Sequence, residues 1–175
     1  ITEPDLDLFL EKTGTGMENI SKELEKLVCY CMDREAVTRE DIEAICTRQI
    51  NNQIFDMMNA IAEKKQKEAM RLYYDLLTLK EPPMRILFLL ARQFNLLLQV
   101  RELKKKGYPV KTIGENVGLP GFIAGKYVNQ AAKFSTKDLR QAVTDCVEAE
   151  EAVKTGKMND VLSVELLLIR YSGTV

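Results

Sequence analysis

Residues 84 to 106, MRILFLLARQFNLLLQVRELKKK, carry apolar side chains around nearly the whole circumference of a helix, interrupted in its middle at Arg92, Gln93 and Asn95. A helix without a broad polar face is stable only when other elements cover most of its sides. Pro82 and Pro83 precede it, where a missing N–H and a fixed φ suit a first turn. Lys104, Lys105, Lys106 and Gly107 close it, placing cations at the carbonyl end of the helix dipole. The stretch reads as a central rod among other helices, and neither a strand period nor a nucleotide-binding loop competes with that reading.

The rest of the chain supplies those other helices. Residues 3 to 12 read as a short one, and the Gly14-Thr15-Gly16 turn leads into Glu18 to Met32, where Ile20, Leu24, Leu27, Val28 and Cys31 form one apolar stripe. After a turn around Asp33 to Val37, Thr38 with Asp41 three positions on opens a helix that turns Ile42, Ile45 and Cys46 inward. Residues 1 to 48 bury too little to stand alone as a domain and read as the tail of a larger one.

From Asn51 the pattern is denser. Ile54, Phe55, Met58 and Ile61 mark one helix, and Ala69, Leu72, Tyr73, Leu76 and Leu77 mark a second, separated by the polar stretch Glu63 to Gln66 and expected to pair with it as an antiparallel hairpin. Beyond the central helix come Tyr108 to Val117, Gly121 to Phe134, a helix opened by Ser135 and Asp138 that runs to about Val153, and a leucine-rich helix from Asn159 to Arg170. The fold class is all-α, with about seven helices between 51 and 171 joined by short loops.

Chemistry is sparse. The chain has 175 residues, a formal net charge of −1 and no histidine, so an imidazole base and Cys/His zinc motifs are excluded and bulk charge announces no nucleic-acid binder. Cys29 and Cys31 would point about 200° apart on a helix and cannot chelate one ion together. With Cys46 and Cys146 they read as buried thiols of a reducing compartment. Glu148, Glu150 and Glu151 read as a solvated face. No catalytic, cofactor-binding or metal-binding residue is expected. There is no basic apolar signal segment and no run of about 18 apolar residues. The chain begins at Ile1 and reads as a cytosolic fragment whose N-terminal portion is cut away.

Three segments invite functional readings. Residues 110 to 131, VKTIGENVGLPGFIAGKYVNQA, have the outline of a helix-turn-helix DNA reader. Their second helix offers Lys126, Asn129 and Gln130 to base edges, but Phe122, Ile123, Tyr127 and Val128 occupy much of its surface and Gly121 and Gly125 weaken it, which favours a packed hairpin. The basic run Arg101, Lys104, Lys105, Lys106 and Lys111 could meet phosphates, although dipole complementation alone selects lysines there. Lys154-Thr155-Gly156-Lys157 resembles part of a phosphate loop, yet it follows a helix and lacks the first glycine of a Walker motif.

ISKELEKLVCYC, the Thr38-Arg39-Glu40-Asp41-Ile42 helix start, QIFDMMNAI, the double-proline opening of RILFLLARQFNLLLQV, and EAEEAVKTG followed by LSVELLLI occur in one order along the chain. This ordered set resembles the C-terminal half of the delta-subunit family of bacterial replicative clamp loaders, part of the DNA polymerase III holoenzyme. The best local fits are Glu23 to Leu27, Ala91 to Phe94 and Lys154 to Gly156. The resemblance implies the end of a small helical lid at residues 1 to 48 and a helical collar, an oligomerisation domain, at 51 to 175. It implies a non-catalytic part of a DNA-directed DNA polymerase, a nucleotidyltransferase, in the bacterial cytoplasm.

It further implies that the collar meets the motor (tau/gamma) and delta-prime subunits, that the sliding clamp is met only through an N-terminal domain missing here, and that primer-template DNA is touched weakly or indirectly, with no membrane involved. Some family members place an aromatic residue before the last helix to stack on template. Here Lys154 and Lys157 stand in that loop and become candidate DNA-backbone contacts. Arg92 and Gln93 become a candidate polar pair, inside the bundle or at a subunit contact, with the internal role favoured because buried polar groups need partners. The alternatives are a helix-turn-helix protein using residues 110 to 131 and a helical adaptor that binds a partner helix in a groove.

Overall fold

A computed structural model describes residues 1–14, 16–32, 34, 36–46 and 50–173, with all of their side chains except those of Glu11 and Phe122. Thr15, Asp33 and Glu35 of the two expected turns, and the Phe122 side chain invoked against base reading, therefore lie outside the described residues. The chain divides into two compact units, Ile1–Gln53 and Ile54–Val175.

The first unit holds α1 (Glu3–Thr13), α2 (Met17–Tyr30), α3 (Arg39–Ile45) and the opening of α4 (Ile50–Ala62). Phe9, Leu27, Ile42 and Cys46 form its core, with Leu8, Leu10, Ile20, Val37 and Ile45 packed around them. The Thr38 backbone N–H and hydroxyl both donate to the Asp41 carboxylate, at 2.9 and 3.0 Å, and Arg34 adds an ion pair at 2.8 Å. The Thr38 backbone bond is the leading cause that holds the Asp41 carboxyl below the usual carboxylate range. Lys12 Nζ donates to the carbonyls of Ile42 and Glu43 at 3.1 and 2.8 Å, satisfying the last turn of α3.

The stripe expected on α2 is displaced. Leu27 and Cys31 are buried and Ile20 half-buried, but Leu24 and Val28 are exposed and Glu23 turns inward, paired with Lys26 at 2.7 Å. Only the sector around Leu27 is covered by α1 and α3, and Leu24 and Val28 fall on its flank. Cys29 is likewise exposed, which corrects the reading of four buried thiols. The other three are buried.

The second unit contains α5 (Gln66–Thr78), α6 (Pro83–Lys105), α7 (Val110–Val117), α8 (Gly121–Ala132), α9 (Thr136–Lys154) and α10 (Asp160–Ser172) with most of α4. No strand occurs among the described residues, as the all-α reading expects. Pro82 caps α6 and Pro83 is its first residue, while Gly107, at φ 85°, takes the left-handed conformation that ends it. Ser135 Oγ accepts from the Asp138 N–H at 3.0 Å at the start of α9.

The helix α6 packs against α9, α8, α7 and α10. Ile86, Leu87, Leu90, Phe94, Leu97 and Val100 are buried, and the Phe94 ring lies 6.2 Å from that of Phe134 and 5.6 Å from that of Tyr171. The rod is not enclosed on every side. Arg85, Phe88, Arg92, Asn95 and Gln99 recur at spacings of three and four and form one open stripe, on which Phe88 is 64% exposed. Four neighbours leave that fifth sector bare.

The helices α4 and α5 are not the closely paired hairpin their spacing suggests. Their apolar faces go to different neighbours: α5 lies on α10, with Tyr73 Oη donating to the Val161 carbonyl at 3.2 Å, while Phe55 of α4 meets Tyr127 of α8 at 5.1 Å between rings. The turn between them is completed by Lys64 at φ 57°.

Candidate functional site

The polar centre of the second unit is built from three helices. Gln93 of α6 donates through Nε2 to Gln130 Oε1 of α8 at 3.1 Å. Gln130 Nε2 in turn donates to Asn59 Oδ1 at 2.9 Å and to the Phe55 carbonyl at 3.0 Å, both on α4. Gln93 and Gln130 are buried, so the chain of amides supplies the partners that burial demands. Burial also pushes the neighbouring Tyr127 hydroxyl up, with Gln93 bonding to it in partial opposition.

Arg92 does not share this environment. It follows the open stripe of α6 and is exposed. Adjacent helix positions diverge by about 100°, so Arg92 and Gln93 cannot act as one internal pair.

Residues 110 to 131 fold as α7, a left-handed Gly118 at φ 70°, and α8. A Cβ added at Gly114 would lie 3.0 Å from Ala124 Cβ and 3.1 Å from the Leu119 carbonyl, so the two helices cross at a point that only glycine permits. Of the three side chains offered to base edges, Lys126 and Asn129 are exposed, but Gln130 is committed to the bundle interior. At the end of α8, Lys133 pairs with Glu63 at 2.6 Å. The Lys133 bond and then that of Lys65 hold the Glu63 carboxyl down at about 2.

The basic run is also partly internal. Arg101 Nη1 donates to the carbonyls of Ala131 and Ala132 at 3.1 Å each, completing the C-terminus of α8, and Lys105 Nζ donates to Thr136 Oγ1 at 2.7 Å. Lys104, Lys106 and Lys111 are exposed. At the other end of the bundle, Lys154 and Lys157 lie exposed on the turn between α9 and α10, which Gly156 makes possible at φ 72°. Lys154 Nζ rests on Glu150 Oε1 at 2.5 Å.

The α9–α10 contact holds a buried carboxylate for which sequence reasoning had no signal. Asp145 accepts from Gln141 Nε2 at 2.8 Å, pairs with Arg170 Nη1 at 2.9 Å and receives the Tyr171 hydroxyl. Burial, and next the bond to Asp145, push that hydroxyl well above its ordinary range. Cys146 beside it is buried, and desolvation raises its thiol to about 12. Among the described residues, no group of three or more Cys, Asp or Glu side chains could hold a metal ion, and no helix is long and apolar enough to cross a membrane.

A seven-helix unit organised around an apolar rod with a buried amide chain is a packing domain. Residues 51–171 match the family model of the DNA polymerase III delta subunit, C-terminal domain. The chain belongs to this delta family.

Among curated delta-family proteins, the DNA polymerase III subunit delta of Bacillus subtilis (strain 168) is 32% identical over 154 residues, covering 88% of this chain and 44% of that protein. An Aquifex aeolicus (strain VF5) protein named as a probable DNA polymerase III subunit delta is 21% identical over 140 residues, covering 79% of this chain and 40% of its own. The solved Bacillus subtilis DNA clamp loader delta protein superimposes with a TM-score of 0.90 at 29% identity, over 97% of this chain and 50% of that one. The chain thus spans about half the length of the delta-family proteins it matches.

Proposed function

We propose that this chain serves as the end of the lid and the collar of a clamp-loader delta subunit, and that its work is assembly: it holds a place among the other loader subunits so that the sliding clamp can be loaded onto primed DNA. The observation that carries the reading is that the family match falls on the seven-helix unit, whose interior is a rigid apolar rod with its polar groups paired. Rigid helices suit a part that must transmit rearrangements made elsewhere. Lid and collar would divide near residue 50, with 1 to 48 and 51 to 175 as the two parts.

On this reading the partners are the motor (tau/gamma) and delta-prime subunits, met through helix faces of the second unit. The sliding clamp is reached through a part of the subunit that precedes the lid. The chain itself contributes no catalytic group, and the complex works in the bacterial cytoplasm. Lys154 and Lys157 are proposed as weak contacts to the DNA backbone, with the Lys154–Glu150 pair opening to release one of them. Arg92, exposed on the open stripe of α6, is proposed as a contact to a neighbouring subunit.

A competition assay tests the proposal. Excess of this chain, added during assembly of a loader from its full-length subunits, should displace the full-length delta-family subunit and lower the yield of clamp loaded on primed DNA. Unchanged loading at saturating folded chain would refute it.

A further inference from the structure

The last helix is apolar on two sides, and only one of them is used. Val164, Leu167 and Leu168 of α10 are buried against the bundle, whereas Leu162, Leu166 and Ile169 are 45, 46 and 43% exposed. These three recur at spacings of four and three, which places them in one sector about 60° wide and about 10 Å long. Tyr74 of α5, 47% exposed, borders the stripe and donates through Oη to Glu165 Oε1 at 2.6 Å.

The charges that flank the stripe are already satisfied within the unit. Glu165 is held by Tyr74 on one side, and Arg170 is held by the buried Asp145 at 2.9 Å on the other. A charged partner would find no unpaired counter-charge beside Leu166, while an apolar one would lose no hydrogen bond. The platform is also fixed at both ends. Asn159 Oδ1 accepts from the Val161 N–H at 2.9 Å at its start, and Lys64 Nζ donates to the Tyr171 carbonyl at 2.9 Å near its end. Little conformational entropy remains to be lost on docking.

The size of the surface indicates what covers it. Leu162, Leu166, Ile169 and Tyr74 together leave on the order of 300 Å² open. A standard stable interface takes about 800 Å² from each partner. Two copies joined back to back through this stripe would fall far short, so a second copy of this chain is a poor occupant. A partner anchored by further contacts elsewhere needs only such a patch as the desolvated centre of its interface.

We propose that Leu162, Leu166 and Ile169 seat an uncharged, apolar helix face of another subunit of the loader, with Tyr74 at the rim. This inference rests on the assembly reading above and assigns it a surface.

The test uses the full-length subunit reconstituted with the remaining loader subunits. Leu166→Glu should weaken its incorporation by about 30-fold or more, the scale of an interface hot spot. Val147→Glu, on an exposed valine of α9, should assemble as the unaltered protein does. Leu162→Ser provides a milder second variant if Leu166→Glu fails to fold, and far-UV circular dichroism with a thermal melt checks both.

Incorporation of folded Leu166→Glu or Leu162→Ser at the unaltered affinity would overturn the surface while leaving the assembly reading intact. If the unaltered protein itself does not assemble, the assembly reading falls and this inference with it. A dimer of the isolated protein that Leu166→Glu dissociates would instead make a second copy the occupant and overturn the proposal.

Discussion

Replacing Gln130 with leucine tests whether the buried amide chain holds α4, α6 and α8 in one register. The change keeps the volume nearly constant and removes three hydrogen bonds, of 3.1, 3.0 and 2.9 Å. Each such bond contributes about 0.5 to 1.5 kcal/mol net, and the Gln93 amide, itself buried, is left without its acceptor. The expected loss is about 2 to 4 kcal/mol, or roughly a 10 °C fall in the melting temperature of a unit of this size. Gln93→Leu alone should cost less, about 1 to 2 kcal/mol, because Gln130 keeps both of its bonds to α4. The double variant should be less damaging than the sum by about 1 kcal/mol, since no orphaned Gln93 donor then remains. Urea unfolding followed by far-UV circular dichroism reads all three. A Gln130→Leu loss below about 0.5 kcal/mol, or strict additivity in the cycle, would refute the reasoning.

Phe94→Ala should remove about 3 to 5 kcal/mol, because the ring is buried between Phe134 and Tyr171 and its loss opens a cavity; a mild effect in the same unfolding assay would mean that the centre of α6 is not where its packing is densest. The Glu63 carboxyl is held at about 2 by Lys133 and Lys65, so its folded value lies below the unfolded one. The stability it contributes is complete above the ordinary carboxylate range and is lost as pH falls from about 4.5 toward 2. Glu63→Gln should therefore flatten the stability profile across that window and no other, as acid titration of the melting temperature would read. Replacing Lys154 and Lys157 together with alanine in an assembled loader should reduce the salt slope of primer-template binding by about two, and an unchanged slope would remove both as backbone contacts.

The helices were legible because their caps and periods agree. Thr38 with Asp41, Ser135 with Asp138, and Pro82 with Pro83 each mark a helix start that the structure contains. Which face of an apolar helix is covered was not legible. The segments around Phe88 on α6 and Leu166 on α10 are apolar nearly all round, and period alone cannot say which sector the neighbours leave bare. On α2 the same ambiguity placed Leu24 and Val28 inward, where the fold instead uses Glu23. Gln93 announced itself as a polar break in an apolar run, yet its partner Gln130 lies 37 positions away and looked like a base-reading side chain. Asp145 gave no signal, because a lone carboxylate on an amphipathic helix looks the same whether it faces water or, as here, Tyr171 and Arg170.

Native mass spectrometry of this chain mixed with purified motor and delta-prime subunits tests the central claim most directly. The account predicts a complex that contains one copy of the chain beside those subunits, formed without the sliding clamp and without DNA. A folded chain that stays free at concentrations where the full-length subunit assembles would contradict it.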